Sequence, residues 1–390
     1  MRVGIASCYY NRNYGSMLQA YATQKIVEKL GHEAVTIQCL QPINYMTQSK
    51  ARYYFHKLCS LDIVKSKIRQ YKGKNDAANN SDYLSNLVIR NEKFDDFYKK
   101  YINLSELNKT REDLTRLSST MSAVVVGSDM LWHPINIEHD YFTLTFVPEP
   151  VKRISYATSF GTTFIPKYQR KQARDFLDRF SAISVREQSG VKVLEELGVN
   201  KSAKVVLDPT LLFTADEWMT IQEQSAIVKD KYIFCYFLGV NQEHRRIAKE
   251  LKAKTGLKIV TLPHMDEYVP DDESFGDYQL YKVGPSEFVN LIRNAEYVLT
   301  DSFHGTCFSI LNHKKFLTFN RFQAGNTQST NTRIDSLLGM MDLSGRRVQG
   351  YFCADELFSL IEEDIEYSTV DIRLDEERKK AEEFLIEALK

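Results

Sequence analysis

The feature that most constrains the fold is an alternation of short apolar runs with amphipathic helical segments. The apolar run "RVGIAS" at 2–7 precedes "SMLQAYATQKIVEKLGHE" at 16–33, where apolar residues from Leu18 to Leu30 recur at helical spacing. The next apolar run, "AVTIQ", occupies 34–38. This strand–helix–strand order predicts a parallel, doubly wound sheet with helices on its faces.

The same alternation resumes after a polar stretch. Residues 42–118 are rich in Lys, Asn and Tyr and contain helical patches, so we predict a helical insertion there and not a separate domain. The apolar runs that follow are "SAVVVGSD" at 122–129, "RISYATSF" at 153–160, "AISVRE" at 182–187 and "AKVVLD" at 203–208. These runs predict the remaining strands of the first sheet.

A second strand–helix series extends from "YIFCYFLG" at 232–239 to "KKFLTFN" at 314–320. We therefore predict an α/β protein with two Rossmann-like domains, residues 1–210 and 211–370, and a terminal helix in 371–390. Ligands of open parallel sheets bind beyond the carboxyl ends of the strands, so the two domains are expected to face one cleft.

Charge and cysteine usage narrow the function classes. The chain has 51 basic and 51 acidic residues, so its overall charge gives no reason to expect a nucleic-acid partner. Six cysteines are dispersed without a CxxC pair, which argues against a zinc site or a disulfide scaffold and fits a reducing compartment. With neither a signal peptide nor a run of about 18 apolar residues, we expect a cytoplasmic protein without an integral membrane segment.

Polar motifs stand where the predicted strands end. They are "NRNYGSMLQAYA", "VVGSDMLWHP", "SYATSFG", "SVREQSG", "VVLDPTLLF" and "TDSFHGT". In this order and spacing they resemble the polysaccharide pyruvyl transferase family, from residue 2 to about 340 except for the 42–118 insertion. Each motif is weak alone, whereas the ordered set is fairly specific.

The resemblance implies a fold and a reaction. The fold would be GT-B-like, with the first domain on the acceptor side, the second on the donor side, and helix 371–390 packing back on the first domain. The reaction would transfer an enolpyruvyl group from phosphoenolpyruvate to two sugar hydroxyls, leaving a cyclic ketal and phosphate. Phosphoenolpyruvate is then a co-substrate, no cofactor or metal is expected, and the acceptor is a sugar or lipid-linked oligosaccharide of a cell-surface polysaccharide.

The donor site needs cations and N–H groups for a phosphate and a carboxylate. His304 lies just before a predicted helix N-terminus, which suits a phosphate, and imidazole can act as acid or anion-binding cation. Arg186, at a strand end, could grip an anion in bidentate fashion, or could pair with Glu187. His304 could instead cap its own helix. The expected donor-binding residues are Arg186, Ser302, His304, Gly305, Thr306 and Arg333, with Gly305 allowing close approach of the phosphate.

The chain departs from the family at Ser302. Well-known members have an arginine two residues before the histidine, so one donor-site cation is missing from this loop. Arg333 or Arg321 could supply it from the next loop, and either could equally be a surface residue.

The acceptor side centres on Asp129, which follows a strand and could accept a proton from a sugar hydroxyl. The alternative is an Asx turn or a helix cap. Trp132 could stack on a sugar or serve in packing. The other expected acceptor residues are Asn13, Tyr14, Gly15, Gln19 and Ser159.

Two other functions compete with this interpretation. One is a GT-B-type glycosyltransferase that uses a nucleotide sugar. The other is a carbohydrate-binding scaffold without catalysis, which the departure at Ser302 makes conceivable. The acidic segment 266–277 lacks calcium-loop spacing and is expected to be a solvated segment.

Overall fold

The structure, a computed structural model, describes residues 1–40, 53, 73, 75–138, 140–265, 268–321, 332–350 and 353–390. Two compact units are present. The first comprises Met1–Cys59, Tyr98–Leu212 and Leu374–Lys390, and the second comprises Ser60–Phe97 and Phe213–Arg373. Each unit contains one six-stranded parallel sheet.

The strands and helices alternate along the chain. The strands are β1 (Arg2–Ala6), β2 (Glu33–Thr36), β3 (Ala123–Val126), β4 (Lys152–Thr158), β5 (Ala182–Val185), β6 (Ala203–Val205), β7 (Tyr232–Tyr236), β8 (Lys258–Thr261), β9 (Tyr278–Gln279), β10 (Tyr297–Thr300), β11 (Lys315–Phe319) and β12 (Arg347–Val348). The α-helices are α1 (Tyr14–Lys29), α2 (Ser81–Tyr101), α3 (Arg111–Ser118), α4 (Asp140–Thr143), α5 (Arg170–Leu177), α6 (Gln188–Leu197), α7 (Ala215–Trp218), α8 (Gln242–Thr255), α9 (Pro285–Arg293), α10 (Phe303–Leu311), α11 (Thr332–Met341), α12 (Ala354–Glu362) and α13 (Tyr367–Leu389).

Strand order fixes where ligand sites can form. The first sheet has the order β2-β1-β3-β4-β5-β6 and the second β12-β11-β10-β7-β8-β9, with all pairs parallel. The winding direction therefore reverses between β1 and β3 in the first sheet and between β7 and β10 in the second. Such reversals open a crevice beyond the carboxyl ends of the strands, and we call these two places the first and second switch points.

The strands are apolar because helices cover both faces of each sheet. All four residues of β3 and all five of β7 are buried, which is typical of parallel sheets. Within the described residues, every helix is too short or too polar to cross a lipid bilayer. The predicted fold class, two Rossmann-like α/β domains, is confirmed.

The predicted insertion is divided between the two units. Ser60–Phe97 belongs to the second unit, whereas the sequence analysis assigned all of 42–118 to the first half. The cause is visible on α2, where Tyr83 donates a hydrogen bond to the carbonyl of Met265 (2.9 Å) and Lys93 pairs with Glu287. Residues 41–52, 54–72 and 74 lie outside the described part of the chain.

The end of α13 belongs to the first unit. Arg378 Nε donates to the carbonyl oxygen of Leu211 at 2.8 Å, and Lys204 Nζ lies 3.4 Å from Glu387 Oε2. Leu385 and Leu389 on the same segment are 0% and 1% exposed. The terminal segment of this helix therefore adds buried apolar side chains to a unit whose strands all lie between Arg2 and Val205.

The acidic segment is not simply solvated. Pro270–Glu273 forms a 3₁₀ helix, and Asp272 is 5% exposed. The expectation was wrong at Asp272 because Arg245 and His264 both bond its carboxylate. Residues 266 and 267 lie outside the described chain.

Candidate functional sites at the two switch points

At the first switch point, the loop after β1 leads directly into α1. Asn13 is the N-cap of α1 and accepts a hydrogen bond from the backbone N–H of Ser16 (3.2 Å). Tyr14 and Gly15 are buried in the first turn. Gln19 is fully buried, and its Oε1 has no hydrogen-bond partner in the protein. Buried amide oxygens are rarely left without a partner, so Gln19 is a candidate ligand contact.

Asp129 occupies the facing loop, after β3. Its φ is +83°, a left-handed conformation that is costly for a non-glycine residue. Ser16 Oγ donates to Asp129 Oδ2 at 2.6 Å, and the backbone N–H of Met130 donates to Oδ1 at 2.9 Å. The carboxylate is therefore held at the first switch point, with its side chain 15% exposed. Strain of this kind is commonly found where a side chain must be aimed for function.

Arg186 is surrounded by carboxylates of its own unit. Its Nη1 lies 2.8 Å from Asp208 Oδ2, and the guanidinium is 3.8 Å from both Asp129 Oδ1 and Glu187 Oε2. Burial disfavours the charged guanidinium, but these three carboxylates outweigh burial and raise the pKa of Arg186. Its side chain is 2% exposed. These contacts include the predicted alternative, a pair with Glu187, and donor binding by Arg186 stays a prediction.

Two further acceptor candidates also serve the protein itself. Ser159 is fully buried, donates to Glu187 Oε1 at 2.6 Å and accepts from the N–H of Gly161 at 2.9 Å. Trp132 is 0% exposed, lies among Phe160, Phe176 and Phe180, and donates from Nε1 to the carbonyl of Phe142. Stacking of Trp132 on a sugar is corrected to core packing, because its ring is enclosed.

At the second switch point, Asp301 joins the ends of β10 and β7. Its two carboxylate oxygens accept hydrogen bonds from the backbone N–H groups of Leu238 (2.6 Å) and Gly239 (2.8 Å). A Cβ on Gly239 would lie 2.8 Å from Asp301 Oδ2, so glycine is required by this close approach. Asp301 is 2% exposed and fixes the loop that precedes α10.

Ser302, not His304, is the N-cap of α10. Its Oγ accepts from the N–H of Gly305 at 3.2 Å. His304 stands in the first turn, is 6% exposed, and lies edge-on to the ring of Phe303. The imidazole thus occupies a helix N-terminus, where partial positive charge favours an anion.

Gly305 and Thr306 face the sheet. A Cβ on Gly305 would lie 2.5 Å from Thr300 Oγ1, so this glycine permits close packing of α10 on β10. Thr306 is 0% exposed and its Oγ1 donates to the carbonyl oxygen of Ser302 at 3.0 Å. Both residues therefore serve the packing of α10, and their role in donor binding stays a prediction.

Two arginines stand near the helix that lacks the family's arginine. Arg321 Nε is 4.0 Å from Asp301 Oδ1, with 22% of its side chain exposed. Arg333 is 5% exposed and its guanidinium lies 5.9 Å from the ring centre of Phe303. Both therefore belong to the surroundings of α10, and Arg321 is the more accessible.

His244 is a site residue that the sequence analysis did not identify. Its Nδ1 lies 3.9 Å from Asp301 Oδ2, and its ring stacks on Phe319 at 4.7 Å. Burial lowers the pKa of His244 to about 4, against the opposing charge of Asp301. A histidine inside the helical segment "EHRRIAKELKAKTG" carries no pattern that would reveal this placement. Among the described residues, His, Cys, Asp and Glu form no group of three able to hold a metal.

The arrangement defines a class: a two-unit α/β protein with polar loops at the switch point of each sheet. The sequence profile of the family described as polysaccharide pyruvyl transferase matches residues 13–321. The chain belongs to this family, as its motifs predicted. No curated protein matches the sequence significantly.

Solved structures are similar in fold at low sequence identity. A putative UDP-N-acetylglucosamine 2-epimerase from Listeria monocytogenes is 11% identical, with 96% of this chain and 90% of that chain covered and a TM-score of 0.51. The UDP-GlcNAc 2-epimerase from Methanocaldococcus jannaschii is 12% identical, with 95% and 98% covered and a TM-score of 0.50. These likenesses support the GT-B-like fold class.

Proposed function

We propose that the protein is a ketal-forming pyruvyl transferase that uses phosphoenolpyruvate as donor and a sugar of a cell-surface polysaccharide precursor as acceptor. The observation that carries the proposal is the family match over 13–321, which includes the loops of both switch points. The low-identity structural neighbours contribute the fold and nothing about the donor.

On the donor side, the proposal uses His304 and Arg321. The N-terminus of α10 favours the phosphate, and Arg321, 22% exposed beside Asp301, supplies the positive charge that Ser302 does not. Arg333, whose guanidinium lies 5.9 Å from the ring centre of Phe303, stays a second candidate for this charge. His304 is the proposed acid.

On the acceptor side, Asp129 is the proposed base. Ser16 and the N–H of Met130 orient its carboxylate, and Arg186 holds the neighbouring Asp208 and faces Asp129 at 3.8 Å. Arg186 is thus a positioning residue in this proposal. Asn13 and Gln19 are the proposed contacts to acceptor hydroxyls.

In the proposed reaction, two sugar hydroxyls add in turn to C2 of phosphoenolpyruvate. His304 protonates the methylene carbon of phosphoenolpyruvate, which leaves an oxocarbenium-like C2. A sugar hydroxyl bonds to C2 and loses its proton to Asp129. The C2–O bond to phosphate then breaks, and phosphate departs with the bonding electron pair. A second hydroxyl of the same sugar bonds to C2 and releases its proton to the imidazole of His304, which restores the acid. The products are a cyclic ketal with one new methyl group, and inorganic phosphate.

The test compares donors and variants. Phosphoenolpyruvate is expected to raise the melting temperature, whereas UDP-glucose and UDP-N-acetylglucosamine are not. His304→Gln should retain this shift but lose turnover by about 10²- to 10⁴-fold. Arg321→Ala should lose the shift, and Arg373→Ala, a surface arginine of the same unit, should keep it.

Two results would contradict the proposal. Stabilisation by nucleotide sugars alone would indicate a glycosyltransferase, and stabilisation by neither donor class would indicate a non-catalytic scaffold. Product formed in heavy water must also carry deuterium in the ketal methyl group. A methyl group without deuterium would exclude protonation of the enolpyruvyl carbon.

A further inference from the structure

A cavity lies in the second unit, beyond the carboxyl end of β8. Its volume is about 330 Å³, close to the lower limit of about 300 Å³ for small-molecule pockets. Residues of α2 and of the segment just before it form one wall, and the loops around β8 and β9 form the other. The lining residues used below are Asn80, Asp82, Asn86, His264, Tyr268 and Glu273.

A buried histidine with one unused nitrogen lines this cavity. His264 has an 8% exposed side chain, and its Nδ1 lies 2.6 Å from Asp272 Oδ2. The Nε2 atom is buried and has no hydrogen-bond partner in the protein. A buried ring nitrogen in this position requires an explanation, because nearly all such atoms are bonded.

The partner of His264, Asp272, determines which ring nitrogen carries a proton. Burial would raise the pKa of Asp272, but the hydrogen bond from His264, the electrostatic attraction of its ring and the charge of Arg245 outweigh burial and lower the pKa to about 2. Asp272 is therefore a carboxylate that can only accept, so His264 Nδ1 carries a proton and donates. Nε2 accepts a hydrogen bond when the imidazole is neutral and donates one when it is a cation, so its partner must be able to do either.

The other lining groups offer both donors and acceptors. Glu273 Oε1 accepts from Asn80 Nδ2 (2.7 Å) and from the hydroxyl of Tyr268 (2.7 Å). Asp82 adds carboxylate acceptors, and Asn86 adds an amide with two donors and an acceptor. Among the described residues that line the cavity there is no Lys or Arg, so an anion is disfavoured.

We propose that this cavity binds one saccharide unit, with a sugar hydroxyl hydrogen-bonded to His264 Nε2. A hydroxyl both donates and accepts, so it can satisfy the imidazole, the carboxylates and the amides together. An ammonium group has donors only and would offer no acceptor to the amide N–H groups of Asn86. The inference does not depend on the identity of the donor, because the cavity shares no residue with the second switch point.

The test is saturation-transfer nuclear magnetic resonance on the full chain with the methyl glycosides of glucose, galactose, mannose and N-acetylglucosamine, and with putrescine as a ligand that carries only ammonium groups. At least one glycoside should give signals from the wild-type protein. His264→Phe, which keeps a ring but removes Nε2, should weaken binding and raise the dissociation constant at least about tenfold.

Two further variants protect the test against misfolding. Asn86→Ala, on the α2 wall, should weaken binding in the same direction without disturbing the His264–Asp272 pair. Glu92→Gln, an exposed position of α2 outside the lining, should bind as the wild type does. Silence from all four glycosides, signals from putrescine alone, or glycoside binding that Asn86→Ala and His264→Phe both leave unchanged would each overturn the proposal.

Discussion

At the residue scale, the switch points are built largely from polar groups that satisfy one another. Asp301 accepts hydrogen bonds from two backbone N–H groups, and Ser302 caps α10. Arg186 forms an ion pair with Asp208. These partners are distant in sequence, and no local pattern connects them. The sequence therefore identified the loops that lie at the switch points, but it could not distinguish side chains that bond to the protein from side chains that remain available to a ligand.

Gly305 gives a direct stability prediction. In Gly305→Ala the new Cβ would meet Thr300 Oγ1 at 2.5 Å, and overpacking of this kind costs about 1–3 kcal/mol. Gly339, inside α11 with nothing within 4 Å of its hypothetical Cβ, is the matched control. Gly339→Ala should stabilise by about 0.5–1 kcal/mol. Urea denaturation measures both, and equal stability of Gly305→Ala and wild type would refute the packing explanation.

His244 predicts a pH dependence of stability. Its pKa is about 4 in the folded protein and 6.5 when unperturbed, so the unfolded chain takes up the proton first as pH falls. The free energy of unfolding should be insensitive to His244 above about pH 6.5 and fall by about 3 kcal/mol by about pH 4. His244→Gln should remove that component from urea titrations across this range. If the free energy of unfolding depends on pH in the variant as it does in the wild type, burial does not lower the pKa of His244.

At the element scale, strands were predictable where burial on both faces made them continuously apolar. β5 and β11 lie inside apolar runs that the sequence analysis identified, at 182–187 and 314–320. β9 and β12, with two residues each, were not predicted, because they are too short to form an apolar run. The division of the 42–118 insertion was also missed, since it depends on which unit α2 packs against.

The cap of α10 separates helix stability from anion binding. Ser302→Ala should destabilise the protein by about 1 kcal/mol, because the N–H of Gly305 loses its acceptor. Ser302→Asp should keep the cap and the stability, since a carboxylate suits a helix N-terminus. Its negative charge should nevertheless weaken the thermal shift given by phosphoenolpyruvate. If Ser302→Asp binds phosphoenolpyruvate as tightly as the wild type, the anion does not lie at this terminus.

At the whole-molecule scale, the segment Leu374–Lys390 covers part of the apolar core of the first unit. Leu374, Phe384, Leu385 and Leu389 are each no more than 5% exposed. Deleting 374–390 should therefore expose apolar surface, lower the melting temperature and increase binding of a hydrophobic dye. Ile386→Ser, at a 43% exposed position of the same helix, is the control and should behave as wild type. A truncated chain with wild-type melting would show that this segment is dispensable.

The division of the chain has a consequence for its synthesis. The first unit requires Leu374–Lys390, and the ribosome must translate the stretch from Phe213 to Arg373 before that segment exists. At cellular elongation rates this takes on the order of ten seconds. During that interval the nascent first unit exposes the apolar surface that the terminal segment will cover. Chaperones should therefore be needed mainly by the first unit, although all six strands of its sheet are translated before Phe213.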